Sequence, residues 1–313
     1  MSETEGNGTA ATADTLTSGQ QIKGQLSSDS DRDVFSITMS SAGIVKIDLE
    51  TPTNSSYSDY FNVLLYDGTR TLASQATGSD TSFSVGVENA GTYTVWVDSS
   101  TYRSDEEYGL TVTATPGNTS GVETEGNDPT DGGTADVLTS GQKIKGQLSS
   151  DSDRDVFSIT MDAAGIVKID LETPTNSSYS DYFNVLLFDG TKTLASQATG
   201  SDTSFSVGVE AGTYTVWVDS STYRSDEEYG LTVTATPGDT SGVETESNDP
   251  SDSGTADVLT SGQQIKGQLS SDSDRDVFSI TMDDAGIVKI DLETPTNSSY
   301  SDYFNVLLWD GAK

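Results

Sequence analysis

The stretch "VFSITMSSAGIVKIDLET" occupies Val34–Thr51. Two short runs alternate apolar and polar residues, and small residues separate them. In the second run a two-residue period puts Val45, Ile47 and Leu49 on one face, and Lys46 and Asp48 on the other. That is the pattern of half-buried strands joined by a turn. Further strands are predicted at Gln21–Leu26, Phe61–Asp67, Ser82–Val87, Thr92–Asp98 and Tyr108–Thr115, each bounded by Gly, Asn, Asp or Ser. No helical period occurs. Seven or eight short strands in about 115 residues predict an all-β, two-sheet sandwich. In "TYTVWVD", Tyr93, Val95 and Val97 share the inner face. Trp96 falls on the outer face, as an exposed platform or as a ring packed under a loop.

The stretch recurs. "TSGQQIKGQLSSDSDRDVFSITM" begins at Thr17, returns at Thr139 with Lys143 in place of Gln21, and returns again at Thr260. Between Thr17 and Glu88 the first two copies differ at only 5 of 72 positions. A period near 120 residues is too long for a solenoid and suits a self-contained domain. The expected units are 1–117, 122–238 and 243–313, joined by Pro/Gly/Ser/Thr-rich segments. The third copy stops at "NVLLWDGAK" (Asn305–Lys313), before counterparts of "FSVGV", "GTYTVWVD" and "YGLTVTA". Either the sequence is cut at an arbitrary point, or strands from a neighbouring chain complete the half domain and the protein self-associates there.

Composition narrows the function. The chain of 313 residues carries 50 Asp and Glu against 15 Lys and Arg, a net charge of -35. Such a surface repels nucleic acid and anionic membranes. With no Cys and no His, a Ser-His-Asp or Cys-His hydrolase and the usual zinc sites are excluded within this sequence. No apolar run approaches the roughly 18 residues of a membrane span. Met1 is followed by "SETEGNGTAATAD", which has neither region of a signal peptide. A carboxylate coat also fits a source living in strong salt, where self-repulsion is screened.

The ordered motifs resemble the bacterial and archaeal pre-peptidase C-terminal domain family. In the second copy they are Glu125-Gly126-Asn127-Asp128, Ala135, Gly146-Gln147-Leu148, then Asp153-Arg154-Asp155 before Phe157. "AGTYTVWV" (Ala211–Val218) and "YGLTV" (Tyr229–Val233) follow. The resemblance implies a small jelly-roll-like β-sandwich, an extracellular or cell-surface setting, and a place beside a secreted catalytic domain. It also implies calcium near the N-terminal linker in some members and collagen binding in others.

The residues themselves are suited to calcium, which takes six to eight hard oxygens. Glu123, Glu125 and Asn127 share one face of an extended segment, and Asp128 can turn in before Pro129. "DSDRD" repeats the spacing with Asp151, Asp153 and Asp155. If the segment folds back on the strand start, the two sets converge, and a cation would remove their repulsion. The counterparts are Glu3, Glu5, Asn7, Asp29, Asp31 and Asp33 in the first copy. In the third they are Glu244, Glu246, Asn248, Asp249, Asp272, Asp274 and Asp276. An EF-hand is rejected, because Val156 and Asp162 stand where that loop needs Gly and Glu. A solvated acidic loop is the competing reading, and one Asp of each set is free to cap a turn.

Tyr57, Tyr60 and Tyr102 lie in polar loops that could meet a glycan or an extracellular protein. Nothing marks a catalytic carboxylate pair. The expected function is therefore a non-catalytic, calcium-stabilised extracellular array, serving as stalk or adhesion module. The alternative is an accessory region of a secreted peptidase or other hydrolase.

Overall fold

The computed structural model describes all residues except 29, 53–60, 100–106, 151, 175–181, 221–227, 247, 250–253, 272, 295–303 and 310–313. In the first unit the strands are β1 (Asp14–Thr15), β2 (Gln21–Gly24), β3 (Arg32–Met39), β4 (Gly43–Glu50), β5 (Phe61–Tyr66), β6 (Thr71–Thr77), β7 (Thr81–Val87), β8 (Gly91–Asp98) and β9 (Tyr108–Pro116). They form two sheets, ordered β1-β3-β8-β5-β6 and β2-β9-β4-β7. β1 runs parallel to β3, and the other pairs are antiparallel. The fold is the all-β sandwich expected.

Alternation builds the core. Val45, Ile47 and Leu49 of β4 are buried, as are Tyr93, Val95 and Val97 of β8. They meet Phe35, Phe61, Leu65 and Phe83 between the sheets. β6 has no sequence counterpart in the strands predicted above. Its "TLASQAT" is polar, yet Leu72, Ala73 and Thr77 turn inward beside β5. Trp96 is neither a free platform nor buried. It is half-buried on the outer face, tilted against Tyr66 at 5.3 Å, with the Arg32 guanidinium 4.7 Å from its ring centroid. Asp98 holds that guanidinium at 3.0 Å.

The second unit repeats the plan with β10 (Asp136–Val137), β11 (Lys143–Gly146), β12 (Arg154–Met161), β13 (Gly165–Glu172), β14 (Phe183–Phe188), β15 (Thr193–Thr199), β16 (Thr203–Val209), β17 (Gly212–Asp219) and β18 (Tyr229–Pro237). Its core is a separate cluster. A 3-10 turn, Pro129–Asp131, precedes it. In the third unit the described strands are β19 (Asp257–Val258) and β20 (Phe278–Ser279), paired in parallel as β1 is with β3. Counterparts of β7, β8 and β9 would supply the ladders that β3 and β4 use, and the sequence to Lys313 does not contain them. Apolar residues that are core in the other units are open here, Ile290 at 51% and Leu292 at 53% exposure.

Because each complete unit has its own core, damage should stay local. Phe35→Ala should cost about 3–5 kcal/mol. Hydrogen exchange should show the loss at β4 and β8 but not at β13 and β17. Equal loss in both units would contradict separate cores.

Candidate metal centre at the unit junctions

The segment that precedes each sandwich is extended and is held by isolated backbone bridges. Val122 bridges Lys145 of β11 in parallel, with the Glu123 amide donating to the Lys145 carbonyl at 2.7 Å. On the segment's other side Thr124 bridges Gly86 of β7, in the preceding unit, again in parallel. Val243–Thr245 sits in the same way between Lys266 and Gly208. This shared segment carries the acids inward.

Glu123, Glu125 and Asn127 are 1%, 4% and 1% exposed. Asp155, at the start of β12, is buried beside them and accepts a 2.5 Å hydrogen bond from the Tyr229 hydroxyl. The matching bond in the first unit, from Tyr108 to Asp33, is 2.6 Å. Space for the cluster comes from a glycine. A Cβ on Gly146 would stand 2.8 Å from Glu123 Cγ, and one on Gly267 would stand 2.8 Å from Glu244 Cγ and 2.9 Å from Asp276 Oδ2.

The cluster holds more acceptor oxygens than donors. Glu3 Oε2, Asp33 Oδ1, Glu123 Oε2, Glu125 Oε1 and Glu246 Oε1 are buried with no donor from another group, and Glu3 with Asp33 and Glu123 with Glu125 can pair only when one of the two carries a proton. Burial, and then the neighbouring charges, push Glu123, Glu125 and Asp155 well above the usual carboxylate range. Burial raises Asp33 and Glu244 to about 8, Glu246 to about 9 and Asp276 to about 6. The preceding unit opposes part of this, Arg70 against Glu125 and Lys192 against Glu246.

Other candidates have different work. Asp31, Asp153 and Asp274 cap their own loops. Asp153 Oδ2 accepts the Ser149 amide at 2.5 Å and its Oδ1 the Arg154 amide at 2.9 Å. Asp31 and Asp274 do the same. Asp128 does not turn into the cluster. It caps the 3-10 turn through Thr130 and lies 4.0 Å from Arg154. Asn127 Oδ1 accepts the Val156 amide at 2.9 Å, and Asn248 Oδ1 the Val277 amide at 3.1 Å, so both pin the segment to its sandwich. Asn7 is buried and donates to Asp14. Glu5 is exposed and Asp249 half-buried. Asp29, Asp151, Asp272, Tyr57, Tyr60 and Tyr102 lie outside the described residues.

Three participants escaped the sequence reading. Asp136 accepts from the Thr124 amide at 2.6 Å and from Asn127, and Asp14 and Asp257 repeat this. Gln147 is buried and reaches the Ser74 carbonyl of the preceding unit at 3.2 Å. Gly86 takes the bridge. For Asp136 and Gln147, recurrence at one position in each of the three copies was the available signal.

No family model matches the chain, and no curated protein matches it. Among solved structures, the pre-peptidase C-terminal domain of collagenase from Bacillus anthracis is 24% identical, at a TM-score of 0.25, covering 32% of this chain and 94% of that one. That domain is of the kind the motifs resemble. The tandem CBM51 modules of a family 98 glycoside hydrolase from Streptococcus pneumoniae are 10% identical, at a TM-score of 0.24, covering 67% and 83%. A tandem CBM22 domain from Paenibacillus barcinonensis is 12% identical, at a TM-score of 0.22, covering 69% and 86%.

Among the described residues, no three acidic side chains already converge as a metal-binding group. The hard, donor-poor oxygens nonetheless fit calcium chemically. Candidate ligands are Glu3 with Asp33, then Glu123, Glu125 and Asp155, then Glu244, Glu246 and Asp276.

The cluster predicts an unusual pH response. A carboxyl whose folded pKa lies above its unfolded value holds its proton more tightly in the folded state. Asp33, Glu244 and Glu246 therefore penalise the fold most above about 9, where all three are ionised, and the penalty is relieved as pH falls through about 8 toward the ordinary range. In chelator and molar salt, where surface repulsion is screened, the melting midpoint should rise between pH 9 and pH 5. Asp33→Asn should flatten the first unit's share. A midpoint that falls or holds level over that window would contradict the buried cluster.

Proposed function

We propose that this chain is a non-catalytic extracellular array of β-sandwich units whose junctions are closed by calcium. The observation that carries the reading is the set of buried, donor-poor carboxylate oxygens at the junctions. A desolvated carboxylate needs a proton, a donor or a cation. At neutral pH a divalent cation satisfies several at once. Calcium bound there would add charge compensation and would tie each leading segment to its own sandwich through Asp155 or Asp276. Extracellular modules bind calcium at about 10⁻⁴–10⁻³ M, which suits two or three carboxylates on a shared strand.

A catalytic role is not favoured. Perturbed carboxylates become acid–base candidates when they line a cleft. Here they lie beneath a hydrogen-bonded strand, and near-identical tandem copies suit reach or avidity.

Calcium at about one hundred times its Kd should stabilise the occupied units by about 2.7 kcal/mol. That corresponds to a rise in melting midpoint on the order of 10 °C relative to chelator. Glu125→Gln should remove most of the second unit's response, and the hydrodynamic radius should differ between calcium and chelator. Identical melts and radii in both buffers would sink the calcium reading.

A further inference from the structure

In "FSVGV" (Phe83–Val87) one glycine interrupts an otherwise good strand, and "FSVGV" (Phe205–Val209) repeats it. Neither Gly86 nor Gly208 has a left-handed φ, so its own backbone does not require glycine. The atoms nearest to an added Cβ all belong to the following unit. At Gly86 that Cβ would overlap the Glu123 carbonyl oxygen, with Glu123 C at 3.0 Å and Thr124 Cα at 3.1 Å. At Gly208 it would overlap the Glu244 carbonyl oxygen, with Thr245 Cα at 3.2 Å. A strand glycine of this kind marks the close approach of another backbone.

The approach is specific. The Glu125 amide donates to the Gly86 carbonyl at 3.3 Å. At the next junction the Gly208 amide donates to the Glu244 carbonyl at 3.2 Å, and the Glu246 amide to the Gly208 carbonyl at 3.1 Å. Gln147 and Gln268 add side-chain bonds to the Ser74 and Ser196 carbonyls, at 3.2 and 2.7 Å. One bridge on each edge of the leading segment therefore links the β7 edge of the β2-β9-β4-β7 sheet to the β11 edge of the β11-β18-β13-β16 sheet.

We propose that each complete unit carries a docking notch, Gly86 or Gly208, for the leading strand of another unit of this repeat. The notch fixes the angle between units through these bridges, whether or not a cation is bound. The first unit presents the same leading strand: Ser2 bridges Lys23, and the Glu3 amide donates to the Lys23 carbonyl at 2.9 Å. On its outer side Glu5 and Gln25 are exposed where Glu125 and Gln147 are buried. That side fits the β7-type edge of a further unit, with a glycine at the bridge and a cation like Arg70 facing Glu5.

The 313-residue chain tests this by residue-resolved hydrogen exchange in calcium and in chelator. The Glu125 and Glu246 amides should exchange at least tenfold more slowly than the Glu5 amide in both buffers. In a Gly86→Val, Gly208→Val double variant they should rise to the Glu5 rate while β4 and β13 stay protected. Solution scattering should show a longer, broader distance distribution for the variant. Equal rates at Glu5, Glu125 and Glu246 in the unsubstituted chain would overturn the notch, and that comparison needs no variant. Retained protection in a folded variant would overturn it as well. A calcium-independent melt with Glu125 still protected would remove only the calcium reading.

Discussion

A carboxylate taken out of water must find a proton, a donor or a cation, and each junction of this chain buries more carboxylate oxygen than its donors satisfy. Glu123 and Glu125 lie at almost no exposure beside Asp155, and two of their oxygens have no donor from another group. The docked strand forces this arrangement. Its backbone is bonded on both edges, so its alternate side chains have only two directions, and Glu123 and Glu125 take the inward one. The glycine at 146 and the hydroxyl of Tyr229 leave room for them and hold Asp155 in place. Strand docking and charge burial are thus one feature. Unbinding the strand would rehydrate the acids, and compensating the acids favours the bound strand.

The repeat supplies its own control. The same three letters, E-T-E, occur at Glu3–Glu5, Glu123–Glu125 and Glu244–Glu246. The second glutamate is exposed in the first unit and buried in the other two. The tripeptide is the same, and what the second and third copies add is the β7-type edge of the unit before. The same holds for Gln25, which is exposed, against Gln147, which is buried. Burial at the second glutamate is a property of the pair of units. The first glutamate follows it in part, since Glu3 is half-buried where Glu123 and Glu244 are buried, whereas Asp33 is buried within one unit alone.

Much of the fold was legible because strand alternation is a local signal. Val45, Ile47 and Leu49 declare the core face of β4 without reference to anything distant. β6 was not legible, because Ala73 and Thr77 become core only by lying beside β5. For the site, spacing placed Glu123, Glu125 and Asp155 in the candidate set, and all three are buried at the junction. Asp128, expected to turn in before Pro129, instead has its Oδ1 taken by the Thr130 amide and hydroxyl. Asp153 is likewise satisfied by the amides of Ser149 and Arg154. Short-range capping competes with long-range convergence, and residue type alone does not rank them. Gly86 was hidden for a different reason. Its role is to be small toward another unit, and nothing in its own strand reports that.

A carboxylate coat accounts for most of the net charge of -35 without accounting for the junctions. Coat residues gain from hydration and lose nothing when salt screens them. The junction acids have given up hydration, and their mutual repulsion crosses a medium that mobile ions do not enter. Replacing them by apolar residues of similar size would relieve both costs, as buried charges commonly allow. Keeping glutamate at 123 and 244 and aspartate at 155 and 276 has a physical return only if something positive or a proton enters with them. Arg70 and Lys192 supply part of that charge from the preceding unit. Each lowers one strand glutamate, Glu125 or Glu246, and the remaining burial cost of the cluster falls to a proton or another cation.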